Sequence, residues 1–186
     1  MTDRTPTPTE LRTARLLLRQ PRPDDVDAYL ALESDPEYAH YGSRYSVDRA
    51  GMERGLARII ATPWEQRAEF AIVLEGQVIG RVVLDVDRTN VTGALGYGVA
   101  RPLWGRGIAS EAARAVVDYG FGTYRLAKVW ARADPRNVAS VRVLEKLGMQ
   151  REGLLREHLL IRGERVDRVY YGILRAEWEA LRLGTG

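Results

Sequence analysis

The 186-residue sequence contains no cysteine. That absence removes a thiolate nucleophile, a thiolate metal ligand and any disulfide. Histidine is almost missing too: only His40 and His158 occur, far apart and in no His-Glu-x-x-His arrangement, so no metal centre is expected. No apolar run approaches the roughly 18 residues of a membrane span, and no membrane partner is expected. The opening MTDRTPTPTE lacks the apolar stretch of a secretory signal, and its Pro/Thr content predicts a flexible tail over residues 1–10. Together with the missing cysteines this fits a cytoplasmic protein. Lysine is scarce as well, with Lys128 and Lys146 standing among 28 basic residues.

What is present belongs to a globular domain. Hydrophobic residues make up 45% and charged ones 28%, and the length suits one domain, residues 11–183, with a substantial core. The formal net charge of +3 is unevenly spread: residues 1–100 carry 12 basic and 15 acidic side chains, residues 101–186 carry 16 and 10. Such asymmetry predicts an anionic ligand on one side of the molecule and a cationic one on the other, beside the plainer reading of solvated surface. So small a net charge, with no recognition motif, argues against a nucleic-acid partner.

Along the chain, Leu16–Arg19 reads as a strand and is followed by a Pro-marked loop. A helix then starts at a cap of Asp24 or Asp25, with Val26, Tyr29, Leu30 and Glu33 at helical spacing. SDPEYAHYGSRYS is loop or short helix, and VDRAGMERGLARIIAT an amphipathic helix with Met52, Leu56, Ile59 and Ile60 on one side. Three β-rich runs between residues 68 and 101 predict an antiparallel meander. A helix from Ile108 follows, carrying Ala112, Ala115, Val116 and Tyr119 on one face, and then the strand AKVWARA. Asn137 caps the helix VASVRVLEKL, and Gly148 stops it. Strands near Leu154–Ile161 and Arg165–Leu174 flank a turn at Arg162-Gly163-Glu164, and a short helix spans Ala176 to Leu181. The fold class is α/β, with a mixed, mostly antiparallel sheet flanked by helices.

One short stretch carries chemistry. In WGRGIAS, from Trp104 to Ser110, two glycines surround an arginine directly before a helix. The first helical turn exposes N–H groups without intrahelical partners and carries about half a positive charge. Gly105 and Gly107 remove the Cβ atoms that would hold an anion away and permit positive φ, while Arg106 adds a charge. The pattern suits phosphate or pyrophosphate, although glycine pairs also mark ordinary turns.

These residues resemble the GNAT superfamily of acyl-CoA-dependent N-acyltransferases, whose pyrophosphate loop reads Q/R-x-x-G-x-G/A. The match here is Trp104-Gly105-Arg106-Gly107-Ile108-Ala109, with Trp104 replacing the first polar residue. The longer GYGVARPLWGRGIASEA is similar to the branch that contains the ribosomal-protein N-terminal acetyltransferases. NVASVRVLEKLGMQREGLLRE resembles a second block of that branch, and with LRTARLLLRQPRPDDVDAYLAL the likeness covers roughly residues 11–180.

The resemblance implies a GNAT-like fold in which the strand before the loop splays from the next parallel strand, here Gly96–Ala100 from Lys128–Ala133. Acetyl-CoA, as co-substrate, would insert its pantetheine into that V against Tyr97 and Val99, and rest its diphosphate on Gly105, Arg106, Gly107, Ile108, Ala109 and Ser110 beside Trp104. Asn137 would bond the pantetheine or an ordered water in addition to capping its helix, and Ser140 would protonate the leaving sulfur. The expected reaction is acetyl transfer to a primary amine, a peptide or ribosomal-protein α-amine or else a small amine. Without cysteine, direct attack in a ternary complex is preferred to an acyl-enzyme, and a backbone N–H near Val99 would stabilise the oxyanion. A general base is harder to place. Ala94 stands where many members carry a glutamate, and another branch glutamate aligns near Leu159. Glu157 and His158 fall on opposite strand faces by alternation, and Glu33 and Asp35 would attract a cationic amine or merely end a helix. The residues are compatible with a monomer or a homodimer.

Two rival functions share some of these residues. Strand, G-x-G-x-x-S and helix, with Asp134 ending the next strand, also fit a dinucleotide-binding oxidoreductase, but the preceding meander leaves no room for a second βαβ half. A GNAT-like domain that binds acyl-CoA without turnover would account for Ala94.

Overall fold

The structure, a computed structural model, describes residues 6–41 and 48–184. Alternation of apolar residues drives the centre of the chain into the expected meander: β3 (Arg67–Leu74), β4 (Gln77–Asp87) and β5 (Thr92–Val99). Two short strands, numbered β1 (Leu11–Arg12) and β2 (Leu17–Arg19), extend it at the β3 edge. Beyond β5 come β6 (Lys128–Ala133), β7 (Gln150–Ile161) and β8 (Glu164–Leu174). Eight strands form one sheet in the order β1-β2-β3-β4-β5-β6-β8-β7, antiparallel everywhere except between β5 and β6. That parallel pair needs a crossover, supplied by α4 (Ile108–Thr123).

Helices cover both faces. On one, α1 (Val26–Ser34), α2 (Pro36–Tyr41) and α3 (Arg49–Ala61) are found, with Val26, Tyr29, Met52 and Leu56 clustered on Ala71. On the other lie α4 and α5 (Val138–Lys146), over Phe70, Ile72, Leu84 and Val129. The last helix, α6 (Arg175–Leu183), joins them by stacking Trp178 on Phe121. Trp64 ties the core further, its indole N–H donating to Tyr119 Oη at 2.8 Å while its carbonyl accepts from Tyr124 Oη at 2.6 Å. No helix among the described residues is long and apolar enough to cross a membrane.

Several boundaries differ from the sequence reading. Asp25 does not cap α1 through its side chain. A 3-10 turn, Pro23–Asp25, precedes the helix, and the buried Asp25 carboxylate takes both Arg19 guanidinium nitrogens (2.8 and 2.7 Å) and the Arg22 N–H (2.7 Å). A bidentate charged partner outcompetes a cap for a buried carboxylate. Strand β7 begins at Gln150 rather than Leu154, and the turn after it narrows to Arg162-Gly163. The stretch read as loop or short helix contains α2; residues 42–46 of it lie outside the described ones.

The functional geometry comes from how β5 and β6 part. Their pairing runs from Thr92–Lys128 to Leu95–Ala131 and stops, while β5 continues to Val99 on β4 and β6 to Ala133 on β8. The sheet therefore opens into a V.

Candidate active site

Strand phase decides which backbone groups face the V. Ala100 N–H donates to Ile79 O at 2.8 Å, next to the pair Gly80–Val99. That bond makes Gly80–Val99, and two residues on Val82–Tyr97, the non-hydrogen-bonded pairs of the ladder. The N–H and C=O of Tyr97 and Val99 thus point away from β4 and into the gap. One of the four is occupied: Trp104 Nε1 donates to Val99 O at 2.6 Å. The tryptophan that departs from the family's loop pattern is therefore a brace between loop and strand.

At the open end of the V stands the glycine turn. Gly105 and Gly107 are left-handed, with φ of 75° and 76°, a region other residues enter at a cost. Gly107 is the N-cap of α4 and contributes no side chain, so the amides of its first turn carry no side-chain cap. Trp104, Gly105, Gly107, Ile108, Ala109 and Ser110 line a cavity of about 530 Å³. Arg106 does not; its side chain is exposed, and its carbonyl accepts from Arg15 Nη1 at 3.1 Å. Arg15 is itself held by Glu111, through Nε at 2.7 Å and its backbone N–H at 3.0 Å, and Thr13 Oγ1 donates to the same carboxylate at 2.6 Å. Burial pushes the Glu111 carboxyl up, but Thr13 and Arg15 together hold it below the usual glutamate range. Nothing in local sequence marks this clamp, because its halves lie 96 residues apart.

On the α5 side, Asn137 Oδ1 accepts from Ser140 N–H at 2.9 Å, an ordinary N-cap. Ser140 Oγ lies 3.0 Å from Tyr97 Oη, which also donates to the Ser140 carbonyl at 3.0 Å. Burial drives the Tyr97 hydroxyl up, partly offset by Ser140, to about 12, so it stays protonated at neutral pH. Sequence reasoning used only the Tyr97 backbone. Strand alternation, which aims its ring at the α4–α5 face, was the available signal.

The cavity passes through the V to the opposite face, where Glu33, Glu37, Tyr38 and Arg81 line it. Arg142 and Lys146 line the α5 side. Arg81 donates to Glu69 at 3.3 Å, and Arg67 reaches the same carboxylate at 2.8 Å. Burial works against the Arg81 charge, but Tyr38, Glu69 and Glu33 outweigh it and raise its pKa.

Other candidates are engaged elsewhere. Asp35 accepts from Arg101 Nε at 3.1 Å and from the Glu37 and Tyr38 N–H groups at the start of α2. At Glu157 the backbone turns left-handed (φ 49°) inside an irregularity between Leu155 and Leu159, so alternation no longer applies there. Glu157 N–H bonds Asp167, His158 Nε2 lies 3.0 Å from Tyr170 Oη, and neither residue lines the cavity. Asp134, the acid a dinucleotide site would have used for a ribose, is held by Arg136, at 2.9 and 2.7 Å, and by Arg168 at 3.4 Å.

A glycine turn, an uncapped helix start and a splayed parallel pair now stand together, and comparison with known proteins agrees with them. Residues 15–150 match the family described as the Acetyltransferase (GNAT) domain. The chain belongs to the GNAT acetyltransferases. It is 31% identical over 173 residues to an uncharacterized N-acetyltransferase, p20, of Bacillus licheniformis, covering 90% of this chain and 97% of p20. Over 84 residues it is 31% identical to the [ribosomal protein uS5]-alanine N-acetyltransferase of Escherichia coli (strain K12), covering 45% and 43% of the two chains. The crystal structure of a GNAT-family acetyltransferase from Bacillus anthracis superposes with a TM-score of 0.80 at 27% identity, over 89% of this chain and 98% of that one. As a GNAT protein the chain is an acetyl-CoA-dependent N-acetyltransferase, and the dinucleotide reading is set aside.

Proposed function

We propose that this GNAT enzyme acetylates a peptide α-amine by direct attack, with acetyl-CoA lying in the V between β5 and β6. The observation that carries the reading is the line of unladdered backbone groups on Tyr97 and Val99 running toward the uncapped start of α4. Amides from Gly107 to Ser110 would receive the diphosphate, helped by the positive helix end and by Arg142 and Lys146 nearby. The Tyr97 N–H and C=O would pair with the pantetheine amides as an added strand does. Asn137 serves the site as the cap that fixes Ser140.

Chemistry follows from what remains. The Val99 N–H, aimed into the gap, would stabilise negative charge building on the thioester oxygen. As the amine nitrogen bonds the acetyl carbon and the C–S bond breaks, Ser140 Oγ–H would protonate the sulfur and take a proton from Tyr97 Oη in turn. Solvent carrying the proton the amine releases would restore the Tyr97 hydroxyl. An α-amine with a pKa near 8 is already partly neutral at cellular pH, so water suffices to carry its proton away. The ribosomal-protein relative supports a protein N-terminus as acceptor. Incubating the enzyme with acetyl-CoA and peptides that differ in their first residue, while following thiol release and peptide mass, tests this. A gain of one acetyl group at the N-terminus is expected. Tight acetyl-CoA binding without turnover on any amine would make the protein a binder instead.

A further inference from the structure

We infer that Glu33 selects the acceptor by pairing with a positive charge that the acceptor carries apart from the amine being acetylated; this rests on the acetyltransferase reading above. Glu33 sits in the last turn of α1, is only 6% exposed and lines the cavity. Among the described residues its carboxylate makes no hydrogen bond and no ion pair. Its oxygens are not sealed off, since among the described side chains Tyr29 Oη is the buried polar atom without a partner. They meet the cavity, and a carboxylate with so little water around it gains from a cationic partner.

The surrounding charges supply that partner only in part. Arg81 is close enough to feel Glu33 but gives its hydrogen bonds to Glu69 and Tyr38. Arg67 is shared between Glu69 and Asp85. Two guanidinium groups therefore face three carboxylates, and exposed Glu37 adds a fourth negative charge to the same arm of the cavity. Arg168, which also lines the cavity, is paired with Asp134. A cation entering this arm would find Glu33 waiting.

The charge it meets is not the reacting nitrogen. Tyr97 turns its ring to Ser140 on the α5 face, whereas a side chain added at the next residue, Gly98, would run into Tyr38 of α2. Ser140 and the Glu33 arm thus open on opposite faces of the sheet. A carboxylate against the reacting nitrogen would also hold it as ammonium, without its lone pair. The second charge has two chemical sources: a basic side chain near a peptide N-terminus, or the far ammonium of a diamine.

Two matched pairs separate them: alanyl-lysyl-alanine amide against alanyl-norleucyl-alanine amide, and 1,4-diaminobutane against n-butylamine. Wild-type kcat/KM should favour the charged member of at least one pair by about tenfold, and the pair that responds identifies the source. Glu33→Gln should abolish the preference through KM, with kcat and the calorimetric Kd for acetyl-CoA held, and Glu33→Asp should restore part of it. A Glu33 that merely balances Arg81 would lower thermal stability and leave the preference intact, which overturns the inference. So does a wild-type enzyme indifferent to charge in both pairs, a result readable even if the Gln variant fails to fold. Absence of both acetyl-CoA binding and turnover in the wild type would bring down the acetyltransferase reading, and this inference with it.

Discussion

At the scale of single residues, the Tyr97–Ser140 pair makes a demand that kinetics can check. Ser140→Ala removes the proposed proton donor to sulfur and should lower kcat by about tenfold or more, with KM for acetyl-CoA little changed. Because burial raises the Tyr97 hydroxyl to about 12, it remains a donor across the working range. The kcat–pH profile should rise as the acceptor amine loses its proton and then stay level; a fall centred below about pH 10 would contradict the relay. Asp25 offers a stability test. Burial pushes its carboxyl up, but Arg19 and the Arg22 N–H outweigh that and hold it below the ordinary aspartate value. The folded pKa being the lower one, the pair's contribution is complete above the unfolded value near 3.9 and is lost as pH falls through the folded one. Asp25→Asn should cost about 3 kcal/mol at neutral pH and flatten the acid side of the Tm–pH curve. The sequence suggested Asp25 as a cap, because spacing shows where a helix begins. It does not show that Arg19, on a separate strand, will reach the same carboxylate.

At the scale of elements, the start of α4 depends on backbone shape more than on charge. Gly107→Ala would meet Arg15 only at 3.6 Å, so space is not the obstacle. The obstacle is φ of 76°, which costs a side chain about 1–2 kcal/mol, enough to shift the turn and its amides. KM for acetyl-CoA should rise severalfold while kcat at saturation is kept, as steady-state kinetics would show. Glu111→Gln acts on the same turn from behind. With the carboxylate gone, Arg15 loses its anchor and the Arg106 carbonyl its fixed partner, so KM should again rise. The two glycines were legible because their spacing before a helix resembles the family's loop pattern, although glycine pairs alone mark ordinary turns. Arg15 was not, since its role exists only once the N-terminal segment has folded back across the loop.

For the whole molecule, the V makes the sheet two units: β1–β5 with one set of helices, and β6–β8, joined by the short β5–β6 ladder and by α4 lying over both. The order of elements was readable from periodicity. How far β5 and β6 stay paired was not, because a ladder's end is set by neighbours on both sides and not by the residues along it. That end decides the response to cofactor. An inserted acetyl-CoA would act as a missing strand segment, satisfying amides that now face the gap and bridging the two units. Its binding should slow hydrogen exchange at Tyr97, Val99 and the amides from Gly107 to Ser110, while the β3 residues Ala71, Ile72 and Val73, already paired with both β2 and β4, stay unchanged. Gly96 and Gly98 pair toward β4 rather than the gap, and they should slow much less than Tyr97 and Val99. Uniform protection along β5 would mean general stiffening; alternation with a period of two residues is what insertion of a strand-like ligand requires.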